Sequence, residues 1–237
     1  MVSKENEDEK QQVIMKAKRI ELERWIEEAV FDKVPDIGQD RMTTTRVITS
    51  KSKEEGIVTK ARLVVRGYEE DTSTIKSDSP TCSKEAVRLV LAMIVANNWK
   101  IFSLDIKAAF LQGKSIEREL YVWPPKEFRE DKVLWKLKKV VYGLTDASRS
   151  WYLRVREVLT SLGMKMCTVE NAAFYYGSES LEGVLVMYVN DLLFAGNKNF
   201  HNGVIAPFKE TFQISKEDSD CFKYVGMDIR QESSRIV

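Results

Sequence analysis

Val184-Leu-Val-Met-Tyr-Val-Asn-Asp-Leu-Leu-Phe-Ala-Gly196 is the stretch from which the rest of the chain is read. Two apolar runs of strand length flank the polar pair Asn190–Asp191, which reads as the turn of a β-hairpin. The polar side chains sit at the tip, and the buried strands below pin that tip in place. The same stretch is no membrane span, because it is short and holds an amide and a carboxylate at its middle.

Outward from the hairpin, strands and helices are interleaved. Upstream, Trp99 to Ile106 alternates as a strand. Trp99, Ile101, Ser103 and Asp105 share one face of it, so Asp105 ends an otherwise apolar row. A carboxylate there is costly unless it has a partner such as a metal or a base. Before it, Ser83 caps a helix running to about Asn98, with Val87, Val90, Leu91, Ile94 and Val95 as its buried stripe. Arg46 to Ser50 and Ile57 to Arg66 read as two strands joined by the turn Lys51 to Gly56. In the second, Ala61, Leu63 and Val65 face one way, and Lys60, Arg62 and Val64 face the other. Two cations on one strand face can hold a polyphosphate, and they also suit a plain solvent-exposed face. Val13 to Phe31 has helical spacing, and residues 1–12 read as a charged, disordered lead. Glu119 to Val122 and Leu134 to Val141 read as strands, Asp146 to Leu162 as a helix, His201 to Phe212 as another, and Phe222 to Ile229 as a last strand. This alternation predicts an α+β fold, an antiparallel sheet backed by helices.

Composition narrows the chemistry. In 237 residues, 37 Lys and Arg balance 36 Asp and Glu, and 43% of residues are hydrophobic, enough for a core. Such a chain is neither collagenous, disulfide-stapled nor wholly disordered. Cys82, Cys167 and Cys221 are odd in number and far apart, which excludes a zinc ribbon and fits a reducing compartment. A single histidine, His201, leaves no basis for a His-ligated zinc or a Ser/His/Asp triad. The N-terminus is polar and acidic and is no secretory signal. Between Lys126 and Arg156 nine cations face four anions, a local excess able to meet phosphates although the whole chain carries a net +1.

Several segments, in order, carry a resemblance. Lys60-Ala-Arg-Leu-Val-Val-Arg-Gly-Tyr68 looks like the fingers motif of copia-type retrotransposon reverse transcriptases. Leu104-Asp-Ile-Lys-Ala-Ala-Phe-Leu-Gln-Gly113 resembles their first catalytic motif, and Tyr121-Val-Trp-Pro-Pro125 the motif after it. Val141-Tyr-Gly-Leu-Thr-Asp-Ala-Ser-Arg-Ser-Trp-Tyr152 is similar to their template-grip segment. Tyr188-Val-Asn-Asp191 stands where the family has Tyr-Val-Asp-Asp, and Phe222-Lys-Tyr-Val-Gly226 resembles the primer-grip region. Each match alone is weak, and their collinearity from about residue 16 to 230 is strong.

The resemblance implies a right-hand polymerase: a helical extension over 13–39, fingers from 40–98 and 119–145, a palm from 99–118 and 146–226, and at 227–237 the start of a truncated thumb. It implies nucleotidyl transfer with two Mg²⁺ ions about 3.5–4 Å apart, Mn²⁺ being a substitute. Hard oxygen ligands suit that ion. By resemblance they are Asp105, the two residues at 190 and 191, and the main-chain carbonyl of Ile106. Lys60 and Arg62 would hold the incoming triphosphate, and Phe110 would exclude a 2′-hydroxyl. Lys138, Lys139 and Arg149 would lie along the template. The implied partners are an RNA or DNA template with its primer, deoxynucleoside triphosphates, and the thumb and RNase H region of a polyprotein, with no membrane. The implied location is intracellular, in cytoplasmic particles or the nucleus, and not secreted.

The departure is Asn190, an amide where the family carries a carboxylate. It offers a carbonyl oxygen but no charge, so the resemblance implies an RNA-directed DNA polymerase impaired at one catalytic position. A second reading is a catalytically dead remnant that still binds nucleic acid. A generic RNA-binding sheet domain fits poorly, because none of the strands carries the aromatic-rich segment of such readers.

Overall fold

The computed structural model describes residues 4–53, 56–232 and 235–237. The chain divides into two compact units, Met1–Ser77 with Gly113–Ser150, and Asp78–Gln112 with Trp151–Val237.

In the first unit the charged lead is helical from Lys4, because it continues into the amphipathic stretch as one helix, α1 (Lys4–Glu27). The extension then turns into a strand, β1 (Phe31–Pro35), which pairs with β6 (Val133–Leu137). β6 also pairs with the short β5 (Tyr121–Val122). The ring of Phe31 stacks on Trp135 at 3.9 Å, with Trp25 at 6.2 Å from the same indole. The expected hairpin forms from β2 (Thr44–Lys53) and β3 (Gly56–Val65), and its turn lies outside the described residues. A two-stranded ribbon alone is marginal and leaves an open edge. Here α1 covers the edge of β3, and Glu21, 2% exposed, accepts from the Leu63 amide at 3.1 Å. Burial raises the Glu21 carboxyl above the usual range, against the lowering effects of that amide and of Arg24. Period-two alternation holds along β3: Ala61, Leu63 and Val65 are buried, while Lys60 and Arg62 face solvent.

The second unit is built on a six-stranded antiparallel sheet. In spatial order it runs β11 (Ile214–Ser219), β4 (Phe102–Ile106), β10 (Asp191–Gly196), β9 (Gly183–Tyr188), β8 (Ala173–Tyr176) and β7 (Lys165–Met166). The interior of β9 and β10 is buried. Two helices join this core, α2 (Lys84–Ala96) through Val87, Val90 and Ile94, and α3 (Ala147–Ser161) through Trp151, Val155, Val158 and Leu159. Ser83 caps α2 as expected, its hydroxyl accepting from the Ala86 amide at 3.1 Å. This is the α+β, antiparallel-sheet architecture expected from the sequence. The helix α2, set among the fingers in that reading, belongs to this second unit, since its apolar stripe shares one core with β9 and β10. The last strand is instead a ribbon of β12 (Cys221–Tyr224), β13 (Met227–Glu232) and β14 (Arg235–Ile236). Val225 (φ 48°) and Gly226 (φ 77°) turn the chain where a continuous strand was expected. Among the described residues no helix is long and apolar enough to cross a membrane.

Candidate active site

The central strands of the second unit bring the acidic residues together. β10 and β9 are linked by two residues, Val189 and Asn190, and Asp191 already pairs with Tyr188 on one side and with Asp105 on the other. The turn is therefore one residue earlier than the Asn190–Asp191 pair expected, because β9 and β4 both offer Asp191 a ladder position. Residues directly opposite in an antiparallel pair point to the same face with Cβ atoms about 4.5–5.5 Å apart. Asp105 and Asp191 thus form a carboxylate pair fixed by backbone register rather than by rotamer choice.

The tip is held from three sides. Val189 has φ 57°, the left-handed region, which a β-branched side chain rarely adopts. Its carbonyl accepts from the Trp151 indole at 2.7 Å. The Asn190 carbonyl accepts from the Ile106 amide at 3.0 Å, which locks the tip to the end of β4. Beneath, the buried Tyr224 hydroxyl lies 3.3 Å from the Val186 carbonyl and 3.5 Å from that of Asp191. Burial, followed by the nearby Cys82, drives the Tyr224 phenol far upward, so it stays protonated and donates.

Both oxygens of Asp105 are engaged. The Asn190 side-chain amide donates to Oδ1, and the Ser215 hydroxyl donates to Oδ2. Lys216 stands opposite Asp105 on β11, but its ammonium pairs with Asp218 at 2.6 Å. Asp191 has a raised carboxyl, chiefly from burial and then from the charge of Asp105. That combination is what a bound divalent cation relieves, and two carboxylates beside an amide oxygen form the hard donor set that Mg²⁺ accepts. The donor set fits the ion, although among the described residues no group of three or more His, Cys, Asp or Glu is gathered for one.

The other candidates are distributed between the units. Phe110 lies in the same unit as Asp105, half-buried on the turn Ala109–Gln112 and packed against the core. In the first unit Lys60 and Arg62 are exposed neighbours on β3, with Arg62 over the Tyr142 ring at 5.4 Å. Tyr142-Gly143-Leu144 is moulded onto the end of that strand: Val65 donates to the Tyr142 carbonyl at 2.9 Å, and a Cβ on Gly143 (φ 96°) would lie 2.0 Å from the Val65 oxygen. Lys138 pairs with Asp32 at 2.8 Å and Lys139 with Glu28 at 3.0 Å, while Arg149 is half-exposed at the start of α3. Ser215, Trp151 and Tyr224 also touch the candidate site, and none of them stands out in the sequence as doing so. Trp151 lies within the template-grip segment quoted above, and nothing in a sequence pattern reports which way an indole N–H points.

Residues 30–237 match the family model described as reverse transcriptase (RNA-dependent DNA polymerase). The chain belongs to this family. Among its relatives is a retrovirus-related Pol polyprotein from transposon RE2 of Arabidopsis thaliana, 29% identical over 194 residues, covering 78% of this chain and 13% of the relative. A Pol polyprotein from transposon TNT 1-94 of Nicotiana tabacum is 30% identical over 187 residues, with 74% and 14% covered. The transposon Ty1-MR1 Gag-Pol polyprotein of Saccharomyces cerevisiae is 27% identical over 226 residues, with 91% and 12% covered. The chain is thus a reverse transcriptase region of the copia-type transposon Pol class, and it spans about an eighth of the length of these relatives. Among solved structures, a foamy viral protease–reverse transcriptase in complex with double-stranded DNA is similar with a TM-score of 0.46 and 12% identity, covering 87% of this chain and 32% of that one.

Proposed function

We propose that the chain is the fingers-and-palm part of an RNA-directed DNA polymerase whose catalytic site is Asp105, Asn190 and Asp191. The observation that carries this reading is the direct cross-strand pairing of Asp105 with Asp191 beneath a strained, triply held hairpin tip. When bound, a pair of divalent cations would activate a primer 3′-hydroxyl and neutralise a leaving pyrophosphate. Asp105 and Asp191 would hold those ions, joined by the carbonyl of Ile106. Lys60 and Arg62, on a strand with a buried back, would meet the triphosphate of a deoxynucleotide. Phe110 would sit under its sugar, and Arg149, with Lys138 and Lys139, would follow the template. The ion pairs of those lysines are solvent-exposed or half-exposed, and such pairs are weak enough to exchange for a phosphate. The first unit would supply most of the fingers, the second the palm. An intracellular setting follows from such a role.

Asn190 is the defect in this site. Its amide donates to Asp105, so an uncharged donor stands where a third carboxylate would otherwise need a cation between itself and Asp105. Loss of one anionic ligand removes several kcal/mol of charge stabilisation, which amounts to orders of magnitude in rate. Primer extension in Mg²⁺ by the unaltered chain and by Asn190→Asp tests this. Extension is expected to rise by at least about 100-fold in the variant. High activity in the unaltered chain would overturn the proposed defect. Silence of both, with intact binding of primer–template, would make the chain a nucleic-acid-binding remnant.

A further inference from the structure

Beside the carboxylates, the ladder between β4 and β11 is irregular. Ile214 pairs with Ile106, but the next pair is Lys216 with Asp105, so Ser215 is one residue in excess. A bulge of this kind re-aims a side chain that regular alternation would turn to the opposite face. The side chain re-aimed here is the Ser215 hydroxyl, which donates to Oδ2 of Asp105 and also lies 3.1 Å from its backbone carbonyl. Oδ1 of Asp105 faces the hairpin tip, where Asn190 meets it. Lys216, the true cross-strand partner, takes no part, its charge being spent on Asp218.

We propose that Ser215 is a positioning residue for Asp105: by occupying Oδ2 it leaves Oδ1, the oxygen on the hairpin-tip side that Asn190 now meets, as the single oxygen that Asp105 can present to a divalent cation once that amide is replaced or gives way. This rests on the reading of Asp105 as a ligand. A carboxylate so held binds through one oxygen, which suits a small octahedral ion such as Mg²⁺ or Mn²⁺. A carboxylate released from the hydroxyl can swing and chelate through both, which suits the larger and more tolerant Ca²⁺. Ser215 would therefore set both affinity and ion choice. Hydrogen-bond partners of metal ligands commonly change affinity by about 10–100-fold when removed.

The test uses the full chain with Asn190→Asp, without nucleotide turnover. Mn²⁺ is titrated by the electron paramagnetic resonance of the free ion, and Ca²⁺ by competition. Ser215→Ala is expected to weaken Mn²⁺ at least about tenfold and to shift the Mn²⁺/Ca²⁺ preference toward Ca²⁺, with the melting temperature in chelator unchanged. Ser215→Thr, which keeps the hydroxyl, is expected to restore both. A backbone role alone would move stability and leave ion preference in place. If Ser215→Ala fails to fold, Ser215→Cys, a weak donor of similar size, is expected to show the same shift in preference. Parent-like affinity and preference in the folded Ala or Cys variant overturns the proposal. Failure of Thr to rescue overturns it too, since the hydroxyl would not be the agent. Asp105→Asn separates the two levels: if it also binds Mn²⁺ like the parent, the metal-site reading itself fails, and if it alone loses binding, only the role of Ser215 is lost.

Discussion

The carboxylate site of the second unit and the cationic strand of the first are built on opposite terms. Asp105 and Asp191 stand on central strands and Asn190 on the tip between two of them, with backbone pairs on both sides of Asp105 and the tip held by an indole and an amide. Lys60 and Arg62 stand on the exposed face of a two-stranded ribbon, and only alternation and a buried back direct them. The first arrangement tolerates strain and like charge because the sheet over-determines it. The second costs little to build and little to alter. On the proposed reading, the residues that would meet a metal stand where backbone pairing is densest, and those that would meet a flexible, highly charged phosphate chain stand on an exposed face.

The largest expected effect comes from breaking the stiff side. Trp151→Phe removes the indole N–H from the part-buried Val189 carbonyl, which is then left without that donor beside a left-handed valine. The cost is about 2–3 kcal/mol, a part-buried acceptor left unpaired together with lost packing of a buried indole. Urea unfolding is expected to show it, together with a loss of Mn²⁺ affinity. A variant as stable as the parent would mean that the tip holds itself.

That indole also marks what was legible in the sequence. Alternation along β3 and the stripe of α2 were readable because each face has a single fate, buried or exposed. The acidic hairpin was readable because two apolar strands bracketed polar residues, though the turn falls one residue early. The helix over the lead and the break at Val225–Gly226 were not: a charged lead carries no apolar stripe of its own, and a turn inside a strand-like run shows only in the backbone angles of Val225 and Gly226. Ser215 was hidden for a sharper reason. A bulge shifts the period by one residue, so the pattern that exposes a strand conceals a re-aimed side chain.

The next effect probes charge on the same stiff frame. Asn190→Asp adds no bulk but replaces the amide donor to Asp105 with a third carboxylate. Without metal the variant is expected to lose about 2 kcal/mol, the cost of a lost donor and a like charge at a half-buried site. Mg²⁺ is expected to restore it, so the melting temperature of the variant rises with Mg²⁺ far more than that of the parent. Equal Mg²⁺ responses would show that the amide does not stand in for a cation.

On the permissive side the expectation reverses. Lys60→Ala and Arg62→Ala are expected to change stability by no more than about 0.5 kcal/mol, as for ordinary surface positions. Each should nevertheless weaken binding of a deoxynucleoside triphosphate by about tenfold, the worth of one charge-assisted contact. Calorimetric titration at low and moderate salt checks this, and the loss should shrink as salt rises. Unchanged affinity in both variants would remove the strand from the nucleotide path.

The smallest effect concerns Glu21, which pins the ribbon of the first unit along its covered edge. Its carboxyl caps the Leu63 amide at the covered edge of β3, and burial raises its pKa above the unfolded value. A folded-state pKa that is raised means stability that is complete below the unfolded pKa and is lost as pH climbs through the folded one. Glu21→Gln keeps an acceptor for Leu63 and does not titrate. The parent should therefore lose ground against the variant as pH rises from about 4 toward 7, by less than about 1 kcal/mol, since packing and the backbone contact are retained. Urea midpoints for both chains across that range give the difference directly. A gap that stays flat, or that moves in the parent's favour, would mean that Arg24 and the Leu63 amide stabilise the charged form more than burial opposes it.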